Sequence, residues 1–204
     1  MSVTPAPHPA QPTAFALAVA AIAADAGAAA MRHFNTECRK APQQDGSPVT
    51  LADEDAEALI LERLAVLDPT LPVIAEESAG AGGVAVGEGR FALVDPVDGT
   101  RDFLECRPEF TVNIAIIEGR APVLGCIYAP ALKSMYLGQA GQGAFQAEWA
   151  PGEAEPSHGW RSIAARRVDP SALVALVSRS GQDPDTEAHL GTHPMISVKI
   201  LMLA

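Results

Sequence analysis

Residues 90–103 read RFALVDPVDGTRDF. The apolar run up to Val94 predicts a short strand, and the run ends abruptly in Asp95-Pro96-Val97-Asp98-Gly99-Thr100. Pro96 fixes the backbone of this acidic turn, and Asp98-Gly99-Thr100 is suited to opening a helix. Just upstream, LPVIA (71–75) reads as another strand, ending at Glu76-Glu77, and the glycine-rich AGAGGVAVGEG (79–89) links the two. If these strands are neighbours running the same way, their carboxyl ends meet. Glu76, Asp95 and Asp98 then share a small volume despite their mutual repulsion.

Carboxylates held that close need a counter-ion, and hard oxygen ligands suit Mg²⁺ rather than Zn²⁺. The amides of Gly99 and Thr100, at the start of a helix, are placed to face an anion. Carboxylate-bound metal beside amide donors is the equipment of phosphate-ester hydrolysis. In that scheme Thr100 orients the attacking water, and Asp53 holds Thr100 or serves a further metal. The same residues also fit a plainer reading, because Asp-Gly turns and acidic strand ends are common on surfaces. Asp53 alone fits a helix-start carboxylate favoured by the dipole.

Away from this pair, Thr13 is placed to cap a helix to about Phe34, with Phe15, Val19, Ile22, Ala26, Ala29 and His33 on one face. His33 there is a packing residue. A second helix is expected from about Asp53 to Leu67, burying Ala56, Ile60, Leu64 and Leu67 and stopping at Asp68-Pro69. FTVNIAIIE (110–118) and PVLGCIYAP (122–130) form a hairpin signal, and 133–148 adds two short strands around a glycine turn. ALVALVS (172–178) is a further strand, and 184–190 begins a helix.

The resulting organisation is a frayed proline-rich segment (1–12), a metal-binding domain (13–150) of helices on a mainly antiparallel sheet, and a partial α/β domain (161–204). The fold class is α+β. The last unit has too few elements to close a core of its own, so the second domain reads as incomplete.

Composition narrows the function classes. Lys+Arg number 14 against Asp+Glu 25, a formal net charge of -11, which argues against a binder of nucleic-acid polymers. Aromatic residues at 5% leave little for a base-stacking platform. Hydrophobic residues at 48% exclude general disorder. Cys38, Cys106 and Cys126 share no close spacing, so neither a disulfide framework nor a zinc knuckle is expected, and a reducing compartment fits. The N-terminus lacks a basic n-region, and the apolar stretch from Ala14 is interrupted at Asp25. No integral membrane segment is expected, and a cytoplasmic protein is. The glycine clusters lack the lysine of a Walker loop. His189, His193 and the cluster of Arg161, Arg166 and Arg167 read as surface residues.

SPVTLAD (47–53), EES (76–78), DPVDGTRDF (95–103), EFTVNIAII (109–117) and GCIYAP (125–130) occur in that order. Together they closely resemble the inositol monophosphatase superfamily of magnesium-dependent phosphatases. DGTRDF and EFTVNIA look most like its CysQ branch, the 3'(2'),5'-bisphosphate nucleotidases. The resemblance implies a layered αβαβα sugar-phosphatase fold and two or more Mg²⁺ ions. It implies one metal on Glu76, Asp95 and the carbonyl of Val97, and a second on Asp95 and Asp98. Glu76 and Thr100 would activate water, with Asp53 supporting Thr100, while Asp98, Gly99 and Thr100 hold the phosphate. Ser178, Arg179 and Ser180 resemble the stretch lining the nucleotide side.

The implied reaction removes the 3'-phosphate of adenosine 3',5'-bisphosphate to give AMP, in the cytoplasm or peripherally at the inner membrane. Inositol 1-phosphate and fructose 1,6-bisphosphate are the alternative substrates, and a catalytically silent metal- or phosphate-binding protein is the alternative of another class. Three departures stand out. Gln43 replaces a lysine of the pattern, Gly181 replaces a histidine, and the later Trp-Asp-x-Ala-Ala-Gly motif is absent. MISVKILMLA (195–204) otherwise keeps the pattern's register, which leads to the expectation of a chain shortened by an early stop or a truncated gene. The oligomeric state is open.

Overall fold

A computed structural model of the chain describes residues 11–37, 51–76, 89–177, 184–192 and 196–200. Helix α1 spans Ala14–Glu37. Its first turn is capped by Thr13, whose hydroxyl accepts the N–H of Ala16 at 3.3 Å. Alanine gives this helix both its propensity and its narrow profile. Ala16, Ala20, Ala23, Ala26 and Ala30 are all fully buried, so the backbone lies close to what it packs on. His33 is partly buried and its ring is satisfied by a partner. Its Nε2 reaches Asp55 Oδ2 of the next helix at 2.7 Å.

That helix, α2, spans Leu51–Leu67 and starts two residues earlier than expected, so Asp53 stands inside its first turn. Ala52, Ala56, Ile60 and Leu64 are buried, and the N–H of Asp68 closes the last turn on the carbonyl of Leu64 at 2.9 Å before Pro69. Leu67 is only half-buried.

The strands are β1 (Val73–Ala75), β2 (Arg90–Asp98), β3 (Thr111–Glu118), β4 (Ala121–Ala129), β5 (Ser134–Gln139), β6 (Gly143–Glu148) and β7 (Arg161–Ile163). They form one seven-stranded sheet in sequence order. β1 runs parallel to β2, and all the other pairs are antiparallel. Helices α1 and α2 bury one face of this sheet, with Ala92, Val94, Ile114, Ile116, Cys126 and Leu137 in the shared core. A short helix, α3 (Thr100–Leu104), follows β2. This first compact unit ends at Ile163. The second, residues 164–204, holds β8 (Leu173–Val177), α4 (Pro184–Gly191) and β9 (Ile196–Ile200), with β8 and β9 parallel. The chain thus has the layered α+β architecture read from the sequence; β7 and β9 are elements the sequence reading did not assign, and β7 puts 161–163 in the sheet of the first unit rather than in the second.

Two expectations are corrected. Cys106 is disulfide-bonded, whereas Cys126 is a buried free thiol. Wide spacing in sequence does not reveal which sulfurs meet in space. The stretch from Ala14 to Phe34 is also long and apolar enough to cross a membrane, the one such helix among the described residues. Asp25 does not interrupt the helix, because its carboxylate is on the outside and pairs with Arg63 at 3.0 Å. The buried alanine face is that of a core helix.

The closeness of α1 to the sheet can be tested at Gly27. A Cβ there would collide with Cε1 of Tyr128 and lie 3.1 Å from Cβ of Pro130. Tyr128 cannot yield easily, since it is fully buried and donates its hydroxyl to the carbonyl of Trp149 at 2.8 Å. Gly27→Ala is therefore expected to destabilise the protein by about 1–3 kcal/mol through overpacking, outweighing a helix-propensity gain of about 1 kcal/mol. Urea titration followed by circular dichroism measures this, and an unchanged or raised midpoint would contradict the packing described.

Candidate active site

The condition set on the two acidic strand ends is met. β1 and β2 are parallel neighbours with Ala75 paired to Val94, so Glu76, just past the end of β1, and Asp95, within β2, stand at the same level. The strand reading fell short on one point, because β2 does not stop at Val94 but runs through the acidic motif to Asp98. Asp95 faces Asn113 and Asp98 faces Thr111, so three steps along β2 match two along β3. This is a β-bulge, and Pro96 sits within it, where its missing N–H does no harm. Residues three apart on a regular strand point to opposite faces. The extra residue re-aims the chain, and the burial pattern follows it, with Pro96 and Val97 both buried between Asp95 and Asp98.

Asp95 is the electrostatic centre of the group. Burial, then repulsion from Asp98 and Glu76, a proton shared with Glu76, and the charge of Asp53 push its carboxyl from the ordinary 3.8 up to about 7. Its Oδ1 is buried without a hydrogen-bond partner. Glu76, Asp95 and Asn113 line a cavity of about 290 Å³ on the sheet face away from the helices, together with Leu93 and Ala115. Asp53 is 2% exposed in the first turn of α2, held there by the burial of Ala52 and Ala56 around it.

The turn after β2 is built for tight packing. Gly99 has φ +90°, a conformation that costs other residues strain, and a Cβ there would lie 3.1 Å from the carbonyl oxygen of Glu109. The Gly99 carbonyl accepts the N–H of Phe103 at 3.0 Å, which starts α3. Thr100 donates its hydroxyl to the carbonyl of Val97 at 3.2 Å. Val97, assigned a metal through that same carbonyl, is itself 2% exposed.

The structure therefore gathers Glu76, Asp95, Asp98 and Asp53 into one electrostatic neighbourhood, with Val97, Gly99 and Thr100 in the turn between. Ser178, Arg179 and Ser180 lie outside the described residues. Among the described residues, no three His, Cys, Asp or Glu side chains close around a point as a formed metal cage. The donor set nevertheless fits a hard cation. It consists of carboxylates gathered around Asp95, whose own proton affinity burial and its neighbours raise and which has an orphaned buried oxygen beside an open cavity.

One residue escaped the sequence reading. Asn113 donates its side-chain amide to Asp98 Oδ2 at 3.1 Å from the facing strand. Its signal was a lone amide between Val112 and Ile114 in an otherwise apolar strand.

Comparison with known proteins identifies the family. The family model "Inositol monophosphatase family" matches residues 11–190. The chain belongs to the inositol monophosphatase family. It is 39% identical over 185 residues to the 3'(2'),5'-bisphosphate nucleotidase CysQ of Salmonella typhimurium, covering 88% of this chain and 71% of that protein. With the Escherichia coli K12 protein of the same name it shares 36% identity over 157 residues, 76% of this chain and 59% of the relative. The crystal structure of CysQ from Bacteroides thetaiotaomicron, a bacterial member of this family, superposes with a TM-score of 0.68 at 28% identity, covering 90% of this chain and 70% of that one. The chain thus spans roughly three-fifths to seven-tenths of the length of these relatives.

Proposed function

We propose that this chain is a magnesium-dependent phosphomonoesterase whose substrate is adenosine 3',5'-bisphosphate, hydrolysed at the 3'-phosphate to AMP and inorganic phosphate. The observation that carries the reading is Asp95, a half-buried carboxylate with an orphaned oxygen that Asp98 and Glu76 crowd, beside a cavity that Asp95 and Glu76 line. The nucleotide preference rests on the relatives named 3'(2'),5'-bisphosphate nucleotidase.

In this proposal Glu76, Asp95 and the Val97 carbonyl would hold one Mg²⁺, and Asp95 and Asp98 would hold another. The ions would supply charge neutralisation on the phosphoryl oxygens and a lowered pKa for the attacking water. Glu76 stands at the exposed end of β1 and takes up the proton of that water, which Thr100 orients with its hydroxyl. Asp53, in the buried first turn of α2, supports Thr100. The amides of Gly99 and Thr100 receive the phosphate, a reading supported by a glycine at φ +90° that leaves the backbone there uncovered by a side chain. As the new O–P bond forms, the bond from phosphorus to the 3'-oxygen breaks, and that oxygen leaves with a proton from solvent. Ser178, Arg179 and Ser180 are assigned the nucleoside side on resemblance. We place the reaction in the cytoplasm on the same basis.

A second reading is a catalytically silent metal- or phosphate-binding protein, favoured by the lack, among the described residues, of a closed cage of His, Cys, Asp or Glu side chains. Phosphate release by the purified chain, with and without Mg²⁺, separates the two. Magnesium-dependent release from adenosine 3',5'-bisphosphate over inositol 1-phosphate is the expected result. The opposite preference moves the substrate to an inositol phosphate. Silence on both overturns the enzymatic reading and leaves the binding one.

A further inference from the structure

We propose that Asn113 is a positioning residue of the metal site, anchoring Asp98 with its amide nitrogen while presenting its own carbonyl oxygen to the cation alongside Asp95. The inference rests on the metal-dependent reading above and adds to it a residue from β3.

The orientation of the side chain follows from its partner. An ionised carboxylate can only accept hydrogen bonds, so the group on Asn113 that faces Asp98 Oδ2 at 3.1 Å must be the NH₂. The carbonyl end is then fixed by exclusion, on the side away from Asp98. That oxygen, Oδ1, is buried and has no hydrogen-bond partner. On the facing residue of the ladder, Asp95 Oδ1 is also buried and also without a partner.

Directly opposite residues of an antiparallel pair carry their side chains about 4.5–5.5 Å apart at Cβ, on one face of the sheet. Both residues line the same cavity with Glu76. Two orphaned acceptors on facing residues are costly, since a buried oxygen without a partner loses its hydration and gains nothing in return. A donor would relieve one of them, whereas a cation or its inner waters relieve both. A neutral amide oxygen is also a fitting ligand where three carboxylates already crowd the space. It adds coordination without adding repulsion.

Asn113 further explains how Asp98 is aimed. Asp98 is exposed and lies past the bulge, so nothing in the strand ladder holds its carboxylate. The amide from β3 spans the bulge and ties the carboxylate back to the level of Asp95. Such supporting partners govern metal affinity almost as strongly as the ligands do.

The test is Mn²⁺ binding to the full chain by electron paramagnetic resonance, in the wild type and in Asn113→Ala and Asn113→Leu. The leucine variant keeps the side-chain volume should alanine fail to fold. Thermal midpoints in EDTA establish that each variant is folded. We expect both substitutions to weaken Mn²⁺ binding about tenfold or more. The metal-free midpoint should stay close to that of the wild type, because an orphaned acceptor is removed along with the hydrogen bond. A merely structural residue would give the opposite pattern, with a lowered midpoint and unchanged Mn²⁺ affinity in the folded fraction. Wild-type affinity in a folded variant overturns the proposal. Absence of Mn²⁺ binding in the wild type overturns the metal-dependent reading and this inference together. Binding without phosphate release overturns only the enzymatic reading, and the variants then still decide the role of Asn113.

Discussion

Replacing Asp95 by asparagine is expected to lower magnesium-dependent phosphate release about a thousandfold while making the metal-free protein more stable at neutral pH. The two effects have one origin. Asp95 is the residue shared by both proposed metals, so its loss removes a charge from each. Without metal, that same charge is a burden, because burial, Asp98 and Glu76 all oppose it. The sign with pH follows from where the proton sits. An unfolded aspartate loses its proton near the ordinary value of 3.8, whereas the folded one holds it to about 7. Between these values the native state binds more protons than the unfolded state, so stability falls as pH rises and the loss is complete above about 7. A neutral amide at this position would carry no such dependence. Thermal denaturation in EDTA at about pH 5 and about pH 8 should therefore show the wild type losing more stability than Asp95→Asn. Mg²⁺ should reverse the wild-type loss, since a bound cation takes the place of the proton. Undiminished turnover in the variant would remove Asp95 from the mechanism. An equal pH response in the two proteins would remove the repulsion from the account of the site.

The parts of this site that were legible in sequence are those fixed by local pattern. The apolar runs before Glu76 and Asp95 announce strands, and the acidic ends announce a shared volume. Only their parallel pairing remained conditional until β1 was seen beside β2. Strand length was misjudged at Val94 because Asp-Pro-Val-Asp reads as a turn, and the bulge that lets a strand pass through it depends on the partner strand. The early start of α2 has a similar cause, since Leu51 and Ala52 are drawn into the helix when Ala52 finds a buried place. Asn113 was missed for a tertiary reason. An amide in mid-strand gains meaning only when the register sets it opposite Asp95. The bonding of Cys106 belongs to the same class, as does the His33–Asp55 pair between the two helices.

Phe103→Ala is expected to cost about 3–5 kcal/mol, the usual range for emptying a buried phenylalanine site. Phe103 is fully buried in α3, with its ring 4.9 Å from that of Phe110 and 5.3 Å from that of Phe34, both edge-on. Phe34 and Phe110 also meet, at 5.1 Å, so the three rings form a closed cluster. Ala30, Ala52 and Val97 complete this small core, separate from the larger one under the sheet. Three of its members adjoin the site in the chain. Ala52 precedes Asp53, Val97 precedes Asp98, and Phe103 closes the turn begun at Gly99 and Thr100. A cavity here is felt as a loosening of the turn as well as a loss of stability, because the surrounding groups relax only partly. With total stabilities of about 5–15 kcal/mol, such a loss leaves a marginal protein. Leu104→Ala is the internal control. It alters the next residue of the same short helix, but that side chain is 50% exposed, and a change of only about 0.5 kcal/mol is expected. Urea denaturation of both variants, each with a Mn²⁺ titration, makes the comparison. Phe103→Ala should show a large drop in midpoint and weakened cation binding in the protein that remains folded, and Leu104→Ala should show neither. If the two variants behave alike, the aromatic cluster is not what holds the acidic turn in place.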